Sequence, residues 1–500
     1  MCGRINITNT MKKIFSLLLI TIVFSCSDKD DDTFVYPKES TVQNFMWQGL
    51  NQWYFWQADA PNLGDDRFTT NDDYVVYLES YTDPEEFFYQ TCYNHSNVVG
   101  SSSAIDRFSF VEDDYETLVN TLSGVSKSNG LEFGLARNEG STDLFGYVRY
   151  IIPNSNASTK DIARGDIFTR VNGVQLTDAN YISLLFGNSD SYTLGMADIS
   201  GTVVTDNDRE VTLTKSEGLQ ENPILIAKTV EVNGTKIAYL MYNGFTSGYD
   251  EQLNTVFGEF KNAGATELVL DLRYNPGGSV NSSRLLASMV YGTNTKELYV
   301  RQRWNDKIQG LLKQEQLEDY FANKTDSGSD LNSLNLNKVY VLATGSSASA
   351  SELVMNGLAP YVDVFHIGET TRGKNEFSVT MVDDIDNDYI YRSDRENKIN
   401  PGNRWAMQPL MGRNENSEGF SDYTSGLVPD VVLKEDLADL GVLGDINEPL
   451  FARAIQEITG ASAKRDFTVK MPVNEISNSK MFTAIKDNMY LDKPIEISFQ

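Results

Sequence analysis

The sequence predicts a multidomain α/β protein, and three observations carry that reading. Its 500 residues exceed one domain at the usual size of about 100–200 residues. From about residue 225 to 460, short apolar runs alternate with stretches of helical periodicity, the pattern of a layered α/β domain. Ahead of it, residues 119–216 carry brief strand-like runs separated by turns, and residues 36–118 carry apolar groups at helical spacing. Hydrophobic residues make up 40% of the chain and aromatics 11%, enough for a sizeable core.

The N-terminal stretch Met11-Lys-Lys-Ile-Phe-Ser-Leu-Leu-Leu-Ile-Thr-Ile-Val-Phe-Ser-Cys26 has a basic start and a short apolar run. That run is too short to span a bilayer comfortably, so residues 1–25 read as a signal peptide, with Met11 as the true start. The ending Val23-Phe24-Ser25-Cys26 resembles a bacterial lipobox, which implies lipidation of Cys26 and an envelope location. Residues 26–35 are acidic and read as a solvated tether. Cys92 reads as a small buried apolar residue.

Residues 36–118 predict a small helical domain. Phe45, Met46, Leu50, Trp53 and Trp56 share helical spacing across residues 41–58. Asp83-Pro84-Glu85-Glu86 reads as a helix start, with proline in the first turn. Asp106-Arg-Phe-Ser-Phe110 is the expected exit of the domain.

Strands are expected at 131–136, 146–152, 166–171 and 210–214. Phe133-Gly134-Leu135 resembles the loop of a PDZ domain that receives a peptide carboxylate. Arg164-Gly-Asp-Ile-Phe-Thr-Arg-Val-Asn-Gly173 resembles the turn and strand of the same module. Such a module adds an extended peptide to a sheet edge. A β-rich spacer that binds nothing is the alternative.

In the α/β region, buried strands are expected at 237–240, 268–272, 339–343 and 364–367, with helices at 250–260 and 351–358. Gly345-Ser-Ser-Ala-Ser-Ala-Ser-Glu352 is a small-residue loop between a strand and a helix. Ser349 there is a candidate nucleophile, and the N–H of Ala350, at the helix start, a candidate oxyanion donor. Lys374, in Gly368-Glu-Thr-Thr-Arg-Gly-Lys374, is a candidate base. Serine needs such a base, and lysine serves only when neutral, so burial must bring its pKa down. A second oxyanion donor is expected at Gly278, in Asp271-Leu-Arg-Tyr-Asn-Pro-Gly-Gly278, where a strand ends in a glycine turn. Of the two histidines, His366 lies inside a buried strand and reads as a core residue.

Together with Gly426-Leu-Val-Pro-Asp430, these pieces resemble the carboxyl-terminal processing (tail-specific) serine proteases, over roughly residues 119–435. The resemblance implies Ser349 as nucleophile, Lys374 as general base, and Gly278 and Ala350 as the oxyanion hole. It implies a ClpP/crotonase-like α/β core, at 217–460, and a preceding or inserted PDZ-like domain, at 119–216, that recruits protein C-termini. Residues 461–500 read as a C-terminal tail. Two positions depart from the family pattern. Ser378 stands where a lysine-orienting glutamine is common, and Arg372 where an aromatic often precedes the Gly-Lys pair.

The expected function is therefore serine endopeptidase action on polypeptides near their C-termini, by a lipid-anchored envelope protein. A catalytically weak or silent peptide-binding scaffold and a hydrolase of small esters or glycans remain alternatives. The net charge of −28 argues against a nucleic-acid partner, which requires a basic surface. No cofactor is expected. No metal is expected either, because no His/Cys cluster has ligand spacing. Oligomeric state is left open.

Overall fold

The computed structural model describes residues 35–137, 140–460, 465–483, 486–492 and 497. The signal peptide, most of the tether and Cys26 lie outside the described residues. Among the described residues, no helix is long and apolar enough to cross a membrane.

The N-terminal segment forms helices Thr41–Trp53, Asn71–Leu78 and Pro84–Thr91. Asp83 caps the third by accepting from the Glu85 N–H at 3.0 Å, with Pro84 in the first turn. These helices do not close a core of their own. Phe45, Leu50 and Trp53 pack in one cluster with Leu240, Leu270 and Leu353 of the α/β region. The Trp53 indole donates to the Asp388 carbonyl at 2.9 Å, fixing the helix to the core. Cys92 is buried in the same cluster, and burial pushes its thiol well above its ordinary value.

The β-rich segment is an antiparallel sheet. Its order is Glu475–Asn478, Leu131–Arg137, Leu144–Ile151, Ile167–Val171, Ser191–Ser200 and Val203–Thr214. Helix Tyr181–Leu185 and the rings of Phe133, Phe168 and Phe186 fill one face of it. The first strand in that order belongs to the C-terminal tail.

The α/β region centres on a six-stranded sheet. Ile224–Val232 pairs antiparallel with Thr235–Tyr242. Parallel strands Glu267–Asp271, Lys338–Ala343, Asp363–Gly368 and Val431–Val432 follow. Their near-continuous apolar sequences suit a sheet covered on both faces, and Leu240, Leu270, Val341 and Leu342 are fully buried. A second sheet lies beside it, in the order Gly278–Ser279, Met489–Tyr490, Glu376–Ser378, Leu410–Asn416, Leu298–Trp304 and Glu318–Tyr320. Here too a tail strand, Met489–Tyr490, is a member. The overall result is the expected multidomain α/β fold with a helical N-terminal region.

Candidate functional site

Strand Lys338–Ala343 delivers the chain to Ser349 through a tight small-residue turn, and helix Ala350–Leu358 leaves from it. Ser349 takes φ 64° and ψ −116°. This left-handed conformation costs a residue with a side chain roughly 1–3 kcal/mol and recurs at functional turns. A sharp strand-to-helix turn of this kind projects a serine Oγ away from its own backbone. Ala350 opens the helix, so its N–H has no intrahelical acceptor.

Glu352 holds the turn together. Its carboxylate accepts from the N–H groups of Ser349 at 2.8 Å, Lys374 at 2.9 Å and Gly373 at 2.6 Å, and from the Thr371 hydroxyl. The serine loop and the lysine loop thus converge on one buried group. Burial pushes the Glu352 carboxyl up to about 7 while the four donors act to lower it. A glutamate inside a serine-rich loop carries no sequence signal of this role, except that it sits three residues after Ser349, as in half of a capping box.

Lys374 is 1% exposed. Burial pushes its amine down to about 8, against the opposing fields of Asp487, Glu376, Asp106 and Glu352. Its Nζ lies 5.1 Å from the centroid of the Phe108 ring. Phe108 belongs to Asp106–Phe110, the segment expected to be only a domain exit. Asp106 shapes it: its carboxylate accepts from the Phe108 and Ser109 N–H groups at 3.1 and 2.9 Å and from the Tyr54 hydroxyl at 2.7 Å. Arg107 donates to the carbonyls of Gly373 and Thr424, clamping the residue before the lysine. The N-terminal helical module therefore supplies one wall of the lysine pocket.

The Gly278 strand end is positioned by a buried charge cluster. Arg273, fully buried, pairs with Asp271 at 2.7 Å, Glu448 at 2.7 Å and Glu435 at 3.1 Å. Beyond it, Asn275 Oδ1 accepts from the Gly277 N–H at 2.9 Å, closing the turn. Gly277 has φ 111°, and a Cβ there would lie 2.6 Å from Ser349 Cβ, so only glycine permits the two loops to meet. The Gly278 N–H donates to the carbonyl of Asn488, a residue of the tail, at 2.6 Å.

Ser349 Oγ is buried and makes no hydrogen bond, so Lys374 and Ser349 are brought to one site but are not hydrogen-bonded to each other. The two departures from the family pattern face elsewhere. The Ser378 hydroxyl lies within hydrogen-bonding reach of Gln408 Oε1, Asn488 Oδ1 and the Met489 carbonyl. Its short side chain engages the neighbouring strand and the tail in place of orienting the lysine. Arg372 pairs with Asp487 of the tail at 3.0 Å.

Phe133, Gly134 and Leu135 are not in a loop. They sit in the middle of a strand, paired on one side with Leu144–Ile151 and on the other with tail residues 475–478. The strand expected at 131–136 is present as Leu131–Arg137, so the three residues lie within it and not in the carboxylate-receiving loop that they resemble. His366 is buried in strand Asp363–Gly368, with its ring near the Ala343 carbonyl at 3.3 Å, a core residue as expected. Among the described residues no cluster of three or more His, Cys, Asp or Glu is placed to hold a metal ion.

A cleft of about 700 Å³ adjoins the site, lined among others by Arg149, Ser346, Arg372, Glu475 and Asp487.

Residues 236–410 match Peptidase family S41, and residues 41–110 match the Peptidase S41 N-terminal domain. A carboxyl-terminal-processing protease of Picosynechococcus is 29% identical over 170 residues, 34% of this chain and 36% of that protein. The chloroplastic carboxyl-terminal-processing peptidase 3 of Arabidopsis thaliana is 25% identical over 251 residues, 47% of this chain and 44% of that protein. The similarity thus spans less than half the length of either relative. A solved structure of a putative S41 protease from Bacteroides fragilis superposes with a TM-score of 0.62 at 26% identity, covering 84% of this chain and 97% of that one. In its α/β core and in its N-terminal helical module alike, this chain is similar to peptidase family S41.

Proposed function

We propose that the chain is a serine endopeptidase that cleaves polypeptides near their C-termini by acyl transfer, with Ser349 as nucleophile and Lys374 as general base. The observation that carries this is the shared carboxylate of Glu352, which ties the Ser349 and Lys374 backbones to one point beside a lysine amine buried to about 8. A neutral lysine at that position takes the Ser349 proton as Oγ attacks the scissile carbonyl carbon. The tetrahedral oxyanion accepts from the N–H groups of Gly278 and Ala350. Collapse breaks the C–N bond, and Lys374 returns the proton to the departing amine. Water then attacks the acyl-serine with Lys374 again as base, releasing a carboxylate and restoring Ser349.

Tail residues 475–478 add to the strand at Ala136, Leu135 and Gly134, and that pairing supports recruitment of an extended polypeptide end by sheet addition once the tail gives way. The lipobox-like Val23–Cys26 supports an envelope location through a lipid on Cys26. The test of recruitment compares an unfolded polypeptide ending in a free carboxylate with the same chain amidated. The expected result is a loss of about tenfold or more in kcat/KM on amidation, the size of a charge-assisted hydrogen bond. Equal rates, or cleavage that survives Ser349→Ala, contradict the proposal.

A further inference from the structure

The C-terminal stretches 475–483 and 486–491 occupy the two halves of the proposed peptide site. At one end, Glu475, Ser477 and Asn478 pair antiparallel with Ala136, Leu135 and Gly134. The Phe133 N–H donates to Ser479 Oγ at 3.1 Å. The Phe482 ring stacks on Phe186 with centroids 4.0 Å apart and meets Tyr181 edge-on at 6.0 Å. Residues 475–478 thus form a short strand added to a sheet edge, and the single 3-10 turn Ser479–Phe482 that follows seats an aromatic anchor beside helix Tyr181–Leu185.

At the other end the second stretch reaches the acyl-transfer residues. Asp487 pairs with Arg372. The Asn488 carbonyl accepts from the Gly278 N–H at 2.6 Å, which is what a scissile carbonyl would do there. Met489–Tyr490 then lies parallel to Gly278–Ser279 on one side and to Ser378 on the other, and the Leu491 N–H donates to the Ser378 carbonyl at 3.0 Å. Ser349 and Lys374, beneath it, are 0% and 1% exposed. No polypeptide reaches a nucleophile so covered unless something leaves.

We propose that residues 475–483 and 486–491 are an intramolecular ligand of the substrate track: they occupy it at the Phe133–Leu135 edge and at Gly278 and must be displaced by a substrate polypeptide. This rests on the reading of Ser349 as nucleophile. At its two ends, over 475–478 and 489–490, the track takes a strand in β conformation. It offers an aromatic pocket at Phe186 and Tyr181, a cationic contact at Arg372, and room for a small amide side chain beside Ser378. In this occupied state the tail carbonyl holds the Gly278 donor and Ser349 Oγ makes no hydrogen bond.

The test uses the full chain. Phe482 is 39% exposed, so Phe482→Asp weakens the anchor without opening the core, and Phe482→Tyr keeps the stacking and serves as control. Two readouts are taken. The first is Ser349-dependent turnover of an unfolded polypeptide. The second is binding, by fluorescence anisotropy, of a labelled synthetic peptide with the sequence of residues 474–492. A site filled by its own tail lowers apparent affinity by the fraction left open, so Phe482→Asp is expected to raise both turnover and peptide affinity by about tenfold. Phe482→Tyr is expected to match the parent. Equal peptide affinity for parent and Phe482→Asp, binding to neither, or unchanged turnover in an active parent overturns the proposal. If no form turns over any polypeptide, the acyl-transfer reading fails, and the peptide arm alone decides whether the tail is a displaceable ligand.

Discussion

The backbone N–H groups of Ser349 and Lys374 donate to the same oxygen, Oε2 of Glu352, at 2.8 and 2.9 Å. Two loops separated in sequence are held at one site by this shared acceptor, and no side-chain hydrogen bond between serine and lysine is needed to keep them there.

That relationship predicts the behaviour of Glu352→Gln. The amide presents an NH2 where two or more N–H donors converge, leaving buried donors unpaired at about 1–3 kcal/mol each. Stability should fall by a few kcal/mol in denaturant unfolding. A misplacement on the order of 1 Å costs about a hundredfold in rate, so kcat should fall by that order in the folded fraction. A variant with parental stability and parental kcat would remove Glu352 from the account.

The pH profile follows from Lys374. Burial has brought its amine down to about 8, and only the neutral amine accepts the serine proton. Activity is therefore present above that value and lost as pH falls through it, by about tenfold per unit below the limb. Asp487 is the largest of the fields opposing this shift. Asp487→Asn should accordingly move the acid limb of kcat/KM to lower pH. A limb that stays in place, or moves up, contradicts the assignment of Lys374 as the base.

Arg273 anchors the turn that presents Gly278. Removing one member of a buried ionic cluster leaves uncompensated charge, and Arg273→Met should cost about 3–5 kcal/mol. Glu435 in the same cluster would be raised by burial, but Arg164 and Arg273 hold it at about 2. Its folded value lies below its ordinary 4.5, so its contribution is present above about 4.5 and lost as pH falls toward 2. Chemical denaturation of the parent across that window should show the loss, and Glu435→Gln should flatten it.

Much of the site was legible because its parts are local. The serine loop, the lysine loop and the glycine turn are each a few consecutive residues at the end of a strongly apolar strand, and the strands at 237–240, 339–343 and 364–367 fall inside those of the fold. What escaped the sequence is held by long-range pairing. Glu475–Asn478 and Met489–Tyr490 are four and two residues long, too short for any periodicity, yet they complete two sheets. Phe108 lies in a segment with no regular pattern and gains its place under Lys374 only through Asp106. Phe133–Leu135 resemble a carboxylate-receiving loop in sequence, whereas pairing on both edges holds them extended inside the strand expected at 131–136. Ser378 could not be judged from spacing alone, since its partner Gln408 comes from another strand.

The central claim is that Ser349 and Lys374 together cleave peptide bonds. Its most direct test is turnover of an unfolded polypeptide by the purified chain, by Ser349→Ala and by Lys374→Ala, with folding verified by denaturant midpoint. The account predicts measurable cleavage by the parent and a loss of at least about a thousandfold in each variant, the scale of losing a nucleophile or its base. Cleavage at the parental rate by either folded variant would contradict it.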